Sequence, residues 1–269
     1  MGRMKNILVI LLICLIAAAC TTVPITGRRQ LSLIPGDTIL SMSYQQYDDF
    51  LNKHELSDNQ ADTEMVKAVG REIADSVETY LKNNGMGDQL DNYEWEFHLV
   101  KDDAVNAWAM PGGKVVVYTG LLPVAENRTG LAVVMGHEIA HAVASHGNER
   151  MSQGLLVQFG GVALSEAMKT KPAATQQLWM AAYGAGAQVG MILPYSRLHE
   201  KEADRLGLIF MAMAGYDPRK AVAFWQRMAG EKDGKSPPEF LSTHPADDKR
   251  VANIRDMLPE AMRYYRKRQ

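Results

Sequence analysis

Apolar residues recur every fourth position through Met65, Val69, Ile73, Val77 and Leu81, the spacing of one helix face. They predict a helix over 61–82 that Asn83-Asn84-Gly85 stops. Ile39, Met42, Tyr47 and Phe50 predict another over 38–53, and both read as packing scaffold. From 93 to 100 aromatic and polar residues alternate, as on a half-buried strand. Asn106-Ala107-Trp108-Ala109-Met110 and Lys114-Val115-Val116-Val117-Tyr118 follow as strands around the turn Pro111-Gly112-Gly113. The expectation is a small antiparallel sheet delivered just before an apolar helix that Asn127 or Thr129 starts and Gly147 ends. Residues 151–190, rich in Ala, Gly and Met, read as two helical pieces broken near 169–172. Glu166, Lys169 and Lys171 interrupt the apolar character, so this is no clean membrane span; core helices or a mobile cover over a cleft fit it. Helices over 196–214, 218–229 and 246–257, with a loop over 230–238, complete an α+β, mostly helical pattern without internal repeats.

The apolar helix carries the chemistry. Within Gly136-His137-Glu138-Ile139-Ala140-His141, the two histidines are four apart and share a face, so both imidazoles can point at one metal ion. Glu138, beside the first of them, can reach a water on that metal. Two histidines and a glutamate are costly to bury in an apolar helix unless something compensates their desolvation, and zinc would. A catalytic zinc site has three protein ligands and an open position. The best source of the third is His199-Glu200-Lys201-Glu202-Ala203-Asp204, where Glu200 and Asp204 share a helix face. One carboxylate can bind the metal while the other takes the N–H of a ligand histidine. Glu202 lies about 200° round the helix from Glu200 and reads as a surface charge, although the residues alone leave Glu200 and Glu202 interchangeable. The other histidines fit no such pattern: His146 reads as a capping residue near the end of the motif helix, His199 as facing away, and His54 and His98 as surface or sheet residues.

Composition narrows the setting. With 46% hydrophobic and 22% charged residues the chain is ordinary for a globular protein, and a net charge of −2 provides no field for nucleic acid or anionic membrane. Arg263, Arg266, Lys267 and Arg268 make a basic end that reads as a solvated tail, with a lipid-headgroup contact as the other reading. Arg3 and Lys5 precede an uncharged run from Ile7 to Ala19 that is too short to span a bilayer, the pattern of a signal peptide over 1–19. Ala17-Ala18-Ala19-Cys20 resembles the lipobox at which bacterial lipoproteins are cut and acylated on the cysteine. Thr21 after it favours the outer membrane by resemblance to lipoprotein sorting rules. Residues 20–37 then read as a tether and entry loop, and 38–269 as one domain. Cleavage before Cys20 removes Cys14 and leaves no disulfide partner, so stability must come from the core and the metal.

Together these residues resemble zinc metallopeptidase family M48, with its HtpX- and Oma-type members, and most of all its periplasmic lipoprotein members of the BepA and LoiP kind. The resemblance covers roughly 93–254. It rests on Asn106 to Gly113, Gly136 to His141, Tyr195-Ser196-Arg197-Leu198-His199-Glu200-Lys201-Glu202-Ala203-Asp204-Arg205-Leu206-Gly207, Ala214-Gly215-Tyr216-Asp217-Pro218 and Ser242-Thr243-His244-Pro245. It implies a zincin fold of gluzincin type. It also implies one zinc held by His137, His141 and Glu200, Glu138 as general base, and Asp204 behind the ligands. His244, which alone reads as a turn or capping residue, takes the place of a histidine that faces the site, where it stabilises an oxyanion or caps the zinc. Arg250 is expected to pair with a carboxylate nearby. The strand Asn106, Ala107, Trp108 and Ala109 looks like the edge that aligns an extended polypeptide substrate. The implied function is an envelope metalloendopeptidase acting in quality control of misfolded or unassembled proteins, lipid-anchored on the periplasmic face of the outer membrane and in contact with assembly machinery. The alternatives are a chaperone-like assembly factor with a latent or structural zinc, and a metal-free peptide- or surface-binding lipoprotein.

Overall fold

The computed structural model describes residues 20–230 and 238–266. The expected signal segment 1–19, residues 231–237 of the expected loop, and Lys267 and Arg268 of the basic end lie outside the described residues. The contacts divide the chain into two compact units, Ile39–Ala144 with Glu200–Gln269, and Met1–Thr38 with Ser145–His199.

The first unit holds the sheet and both motifs. Helix α1 spans Gly36–Leu51 and α2 spans Gln60–Asn83, which Asn59 caps by accepting from the Asp62 amide. Val66, Val69, Ile73, Val77 and Leu81 of α2 are buried, and α2 packs on the sheet and on the motif helix. The strands are β3 (Glu96–Val100), β4 (Ala107–Met110) and β5 (Lys114–Tyr118), in the order β3-β5-β4. Strand β4 is antiparallel to β5, but β3 is parallel to it, with Phe97 opposite Val115 and Leu99 opposite Val117. The sheet is therefore mixed, not antiparallel as expected. The physical reason lies in β5, every residue of which is buried. A strand apolar on both faces belongs in the centre of a sheet, so β3 and β4 take its two edges instead of each other.

After a short helix α3 (Leu122–Ala125), the motif helix α4 spans Arg128–Val143. The Asn127 side chain accepts from the Thr129 and Gly130 amides and fixes its start. It ends before the expected Gly147, because Ser145 adopts a left-handed conformation (φ 55°) and breaks the helix. Further on, α7 spans Leu193–Met213 and carries the acid motif; α8 (Lys220–Gly230), α9 (Phe240–Thr243) and α10 (Asp248–Ala261) complete the unit.

Two glycines set the crossing of α4 and α7. A Cβ at Gly207 would lie 2.9 Å from the His137 amide nitrogen, and one at Gly136 would lie 2.9 Å from the Gly207 carbonyl oxygen. The helices touch backbone to backbone at the residue before His137, which brings Glu200 and Asp204 within reach of the histidines. Gly207→Ala should force the helices apart, lower stability by about 1–3 kcal/mol and weaken metal binding. A thermal melt and a metal-affinity titration of the variant check this.

In the second unit, residues 20–37 form more than a tether. Strands β1 (Cys20–Thr22) and β2 (Arg29–Leu31) pair as an antiparallel hairpin. The hairpin and the chain after it are fastened to α5 (His146–Met168). Arg28 donates to both oxygens of Glu149 at 3.0 and 2.7 Å, the Leu33 amide donates to Ser152 Oγ at 2.9 Å, and Asn148 donates to the Ile34 carbonyl at 3.0 Å. His199 Nε2 lies 2.8 Å from Glu149 and its ring stacks 4.4 Å from His146. Burial pushes the Glu149 carboxyl up, but the bonds from His199 and Arg28 outweigh it and hold it at about 2. His146 thus opens α5 instead of capping the motif helix, and His199 is a buried member of this network. Helix α6 (Ala173–Ala187) follows, then a π turn over Gln188–Ile192. Pro194 cannot donate to the Gly190 carbonyl and its ring would clash there, which accounts for the wider turn. Among the described residues no helix is long and apolar enough to cross a membrane.

Candidate metal centre

Helix α4 presents His137 and His141 one turn apart, with their Nε2 atoms 3.1 Å from each other. From α7, Glu200 places one carboxylate oxygen 3.4 Å from His137 Nε2 and the other 3.3 Å from His141 Nε2. His244, just past α9, puts Nδ1 3.2 Å from His137 Nε2 and 3.0 Å from Glu200. One donor atom from each of the four residues falls within 4.8 Å of all the others. Four ligands at ~2.0–2.1 Å around a tetrahedral zinc are separated by about 3.3 Å, so these spacings fit the ion. The chemistry of the set, three imidazoles and a carboxylate, fits it as well.

Charge balance points the same way. Burial favours neutral Glu200, but bonds to His137, His141 and His244 hold its carboxyl far below the usual range. Burial lowers the His137 imidazole, yet bonds to Asp204 and Glu200 outweigh that and raise it to about 9. A site that holds a proton this strongly holds a cation: metal and proton compete for the same Nε2, so metal binding should release a proton. Asp204 Oδ1 lies 3.0 Å from His137 Nδ1, which fixes a tautomer that leaves Nε2 for the metal. Burial pushes Asp204 up, while the Arg250 charge and the His137 bond bring it below the usual range.

Glu138 is 3% exposed, and its Oε1 has no hydrogen-bond partner. A buried carboxylate oxygen without a partner is costly, unless a water or a substrate completes it. His244 Nε2 is 3.6 Å from that oxygen. Burial raises the Glu138 carboxyl, against the opposing influence of His244 and His137. A carboxylate with raised proton affinity, beside a cluster of metal-ligating side chains, suits a general base near neutral pH.

The surround is specific to this fold. Arg250 Nε and Nη2 donate to the two Asp204 oxygens at 3.0 and 2.7 Å, and Nη1 donates to the Pro245 carbonyl at 3.1 Å. The guanidinium lies 3.4 Å over the Trp225 ring. The Phe240 ring stacks 4.5 Å from His244. Neither aromatic is marked by spacing in the sequence; only their burial against the histidines reveals them. Glu202, expected on the surface, is buried at 7% exposure, because α7 is enclosed here on more than its metal-facing side. Strand β4, with Ala107, Trp108 and Ala109, is an edge of the sheet beside α4, and Asn106 accepts from the Tyr118 amide at its start.

The model of Peptidase family M48 matches residues 60–258, which include the whole cluster. The chain belongs to Peptidase family M48. Among curated relatives, it is similar to the mitochondrial metalloendopeptidase OMA1 of Schizosaccharomyces pombe, 32% identical over 243 residues, 89% of this chain and 66% of the relative. It resembles the human mitochondrial metalloendopeptidase OMA1, 31% identical over 248 residues, 89% of this chain and 46% of the relative. It also resembles the beta-barrel assembly-enhancing protease of Yersinia pestis, 34% identical over 166 residues, 60% of this chain and 34% of the relative. The chain thus spans two thirds or less of the length of these relatives.

Proposed function

We propose that the chain is a zinc-dependent metalloendopeptidase that hydrolyses polypeptides in the bacterial cell envelope, anchored by a lipid on Cys20. The observation that carries the catalytic reading is the partnerless, buried Oε1 of Glu138 beside four donors at zinc spacing. His137, His141 and Glu200 would hold the ion, and Asp204 would orient His137. When bound, zinc supplies Lewis-acid chemistry toward a carbonyl and water. Glu138 takes the proton of the attacking water and returns it to the leaving amine. Strand β4 offers its outer edge to an extended substrate, through main-chain hydrogen bonds that impose little sequence preference.

The names of two groups of relatives bear on setting. One group is mitochondrial, and the other is named for enhancing beta-barrel assembly in bacteria. The lipobox-like Ala17-Ala18-Ala19-Cys20 favours the bacterial envelope and a role in quality control of unassembled envelope proteins, with assembly machinery as the partner. A second reading has one observation of its own. His244 Nδ1 sits inside the donor set, 3.0 Å from Glu200, where it would cap a bound ion. That favours a latent peptidase, and in the limit an assembly factor whose zinc is held shut. Casein cleavage by the full chain tests the proposal: removal of metal with a chelator should abolish it and added zinc should restore it. Cleavage that persists in the metal-free protein would contradict it.

A further inference from the structure

The second unit carries a surface that the peptidase chemistry does not use. Beyond Gln153, which is buried at the foot of α5, no residue from 154 to 198 is buried. Yet this stretch is strongly apolar. Phe159 is 63% exposed, Leu178 70%, Trp179 54% and Val189 68%, with Val162 and Leu193 beside them in the chain order. Of the two expected readings of these helices, core helices and a mobile cover over a cleft, the first is therefore corrected: α5 and α6 form a helical hairpin with many of its apolar side chains exposed. A cleft of about 330 Å³ opens in it, lined by Leu156, Tyr183 and Met191 among others, none of them charged. Contiguous exposed apolar surface on this scale marks an interaction site.

The charges say what kind of site. Between Met151 and Ser196 the sequence contains only Glu166, Lys169 and Lys171, all at the turn joining α5 to α6. Lys169 pairs with Glu166 at 2.5 Å, which leaves Lys171 as the surplus charge of the turn. An apolar hairpin with a cationic tip and an exposed Trp matches the demands of the membrane interface. Apolar groups enter the acyl boundary, the indole sits at headgroup level and the lysine reaches phosphate. Neither helix is long and apolar enough to cross a bilayer. The place where the chain enters the unit agrees. The uncharged run from Ile7 to Ala19 leads directly into β1 at Cys20, and the hairpin β1–β2 is fastened to the first turns of α5 through Arg28, Glu149 and Ser152. A lipid on Cys20 and the helical hairpin therefore belong to one compact unit.

We infer that the α5–α6 hairpin is a membrane-surface binding element, a second contact with the bilayer besides the proposed anchor at Cys20. A second contact adds to the anchor and fixes how this unit meets the bilayer. The inference rests on the anchor reading for which membrane is met, but not for whether the hairpin binds lipid.

The test uses the chain from residue 20 onward with Cys20→Ser, which has neither the apolar run from Ile7 to Ala19 nor a site for acylation, and vesicles of phosphatidylethanolamine and phosphatidylglycerol. The Cys20→Ser protein should float with the vesicles, and Trp179 emission should shift to the blue. Trp179→Phe should remove that shift and keep flotation. Leu178→Ser together with Phe159→Ser should weaken binding by about tenfold or more per side chain, with an unchanged thermal melt because both positions are exposed. Failure of the Cys20→Ser protein to bind vesicles, or equal binding by the double variant, would overturn the inference. So would a dimer, or a complex with unfolded casein, that the double variant disrupts while vesicle binding is absent. If native protein proves unacylated by mass spectrometry yet floats like Cys20→Ser, the anchor reading fails and the hairpin reading stands.

Discussion

Replacing Glu138 by Gln is expected to lower peptide hydrolysis by about 10²–10⁴-fold while leaving metal content unchanged. The amide keeps the shape of the side chain and removes its capacity to accept a proton from water. Glu138 is no part of the four-donor cluster, so His137, His141 and Glu200 should still retain the ion. Its Oε1 has no partner in the fold that the substitution would break. A stability loss should therefore be small, and the variant can even gain from burying a neutral group in place of a charge whose burial is costly. Steady-state cleavage of casein or a quenched peptide, with elemental analysis and a thermal melt on the same preparation, separates this outcome from unfolding. Loss of activity together with loss of metal would assign Glu138 to the metal shell.

Arg250→Ala should be the most destabilising single change near the site. Arg250 and Asp204 are 7% and 5% exposed and share two hydrogen bonds. Removing one partner of such a buried pair leaves the other charge uncompensated, at a cost of about 3–5 kcal/mol. The Trp225 face loses its cation, and the Pro245 carbonyl loses its donor just beyond His244. Asp204 would then shift its proton affinity upward and hold His137 less firmly, so metal affinity should fall by about 10–100-fold. Arg250→Lys keeps the charge but not the paired geometry and should recover only part of both losses. A denaturant melt and a competitive zinc titration measure the two effects separately. A variant that melts like the native protein would show that Asp204 finds compensation elsewhere.

Much of the site was legible because it lies on helices, where spacing fixes direction. His137 and His141, four apart, had to share a face, and Glu200 and Asp204 likewise, so their convergence followed once α4 and α7 met. What spacing does not encode is how closely two helices approach. That depended on Gly136 and Gly207, which are invisible to a search for chemical groups and matter only as missing side chains. Long-range neighbours were hidden for the same reason: nothing in the spacing around Trp225 and Phe240 sets them beside His137 and His244, as the fold does. Strand β5 did carry its signal, a run apolar on both faces, but the alternation of β3 suggested a hairpin partner and hid the parallel pairing. Glu202 was misplaced because helical angle gives the side of a helix, not what packs there. The apolar stretch 154–198 misled in the opposite direction, since composition suggested core where the fold leaves the side chains outside.

The central claim is that the cluster of His137, His141 and Glu200 holds a zinc ion on which Glu138 acts as a base. Cleavage activity followed against zinc content tests it most directly. Activity should rise with zinc to one ion per chain in the native protein and stay near zero in Glu138→Gln at the same loading. Cleavage by the zinc-free chain, or equal cleavage by Glu138→Gln, would contradict it.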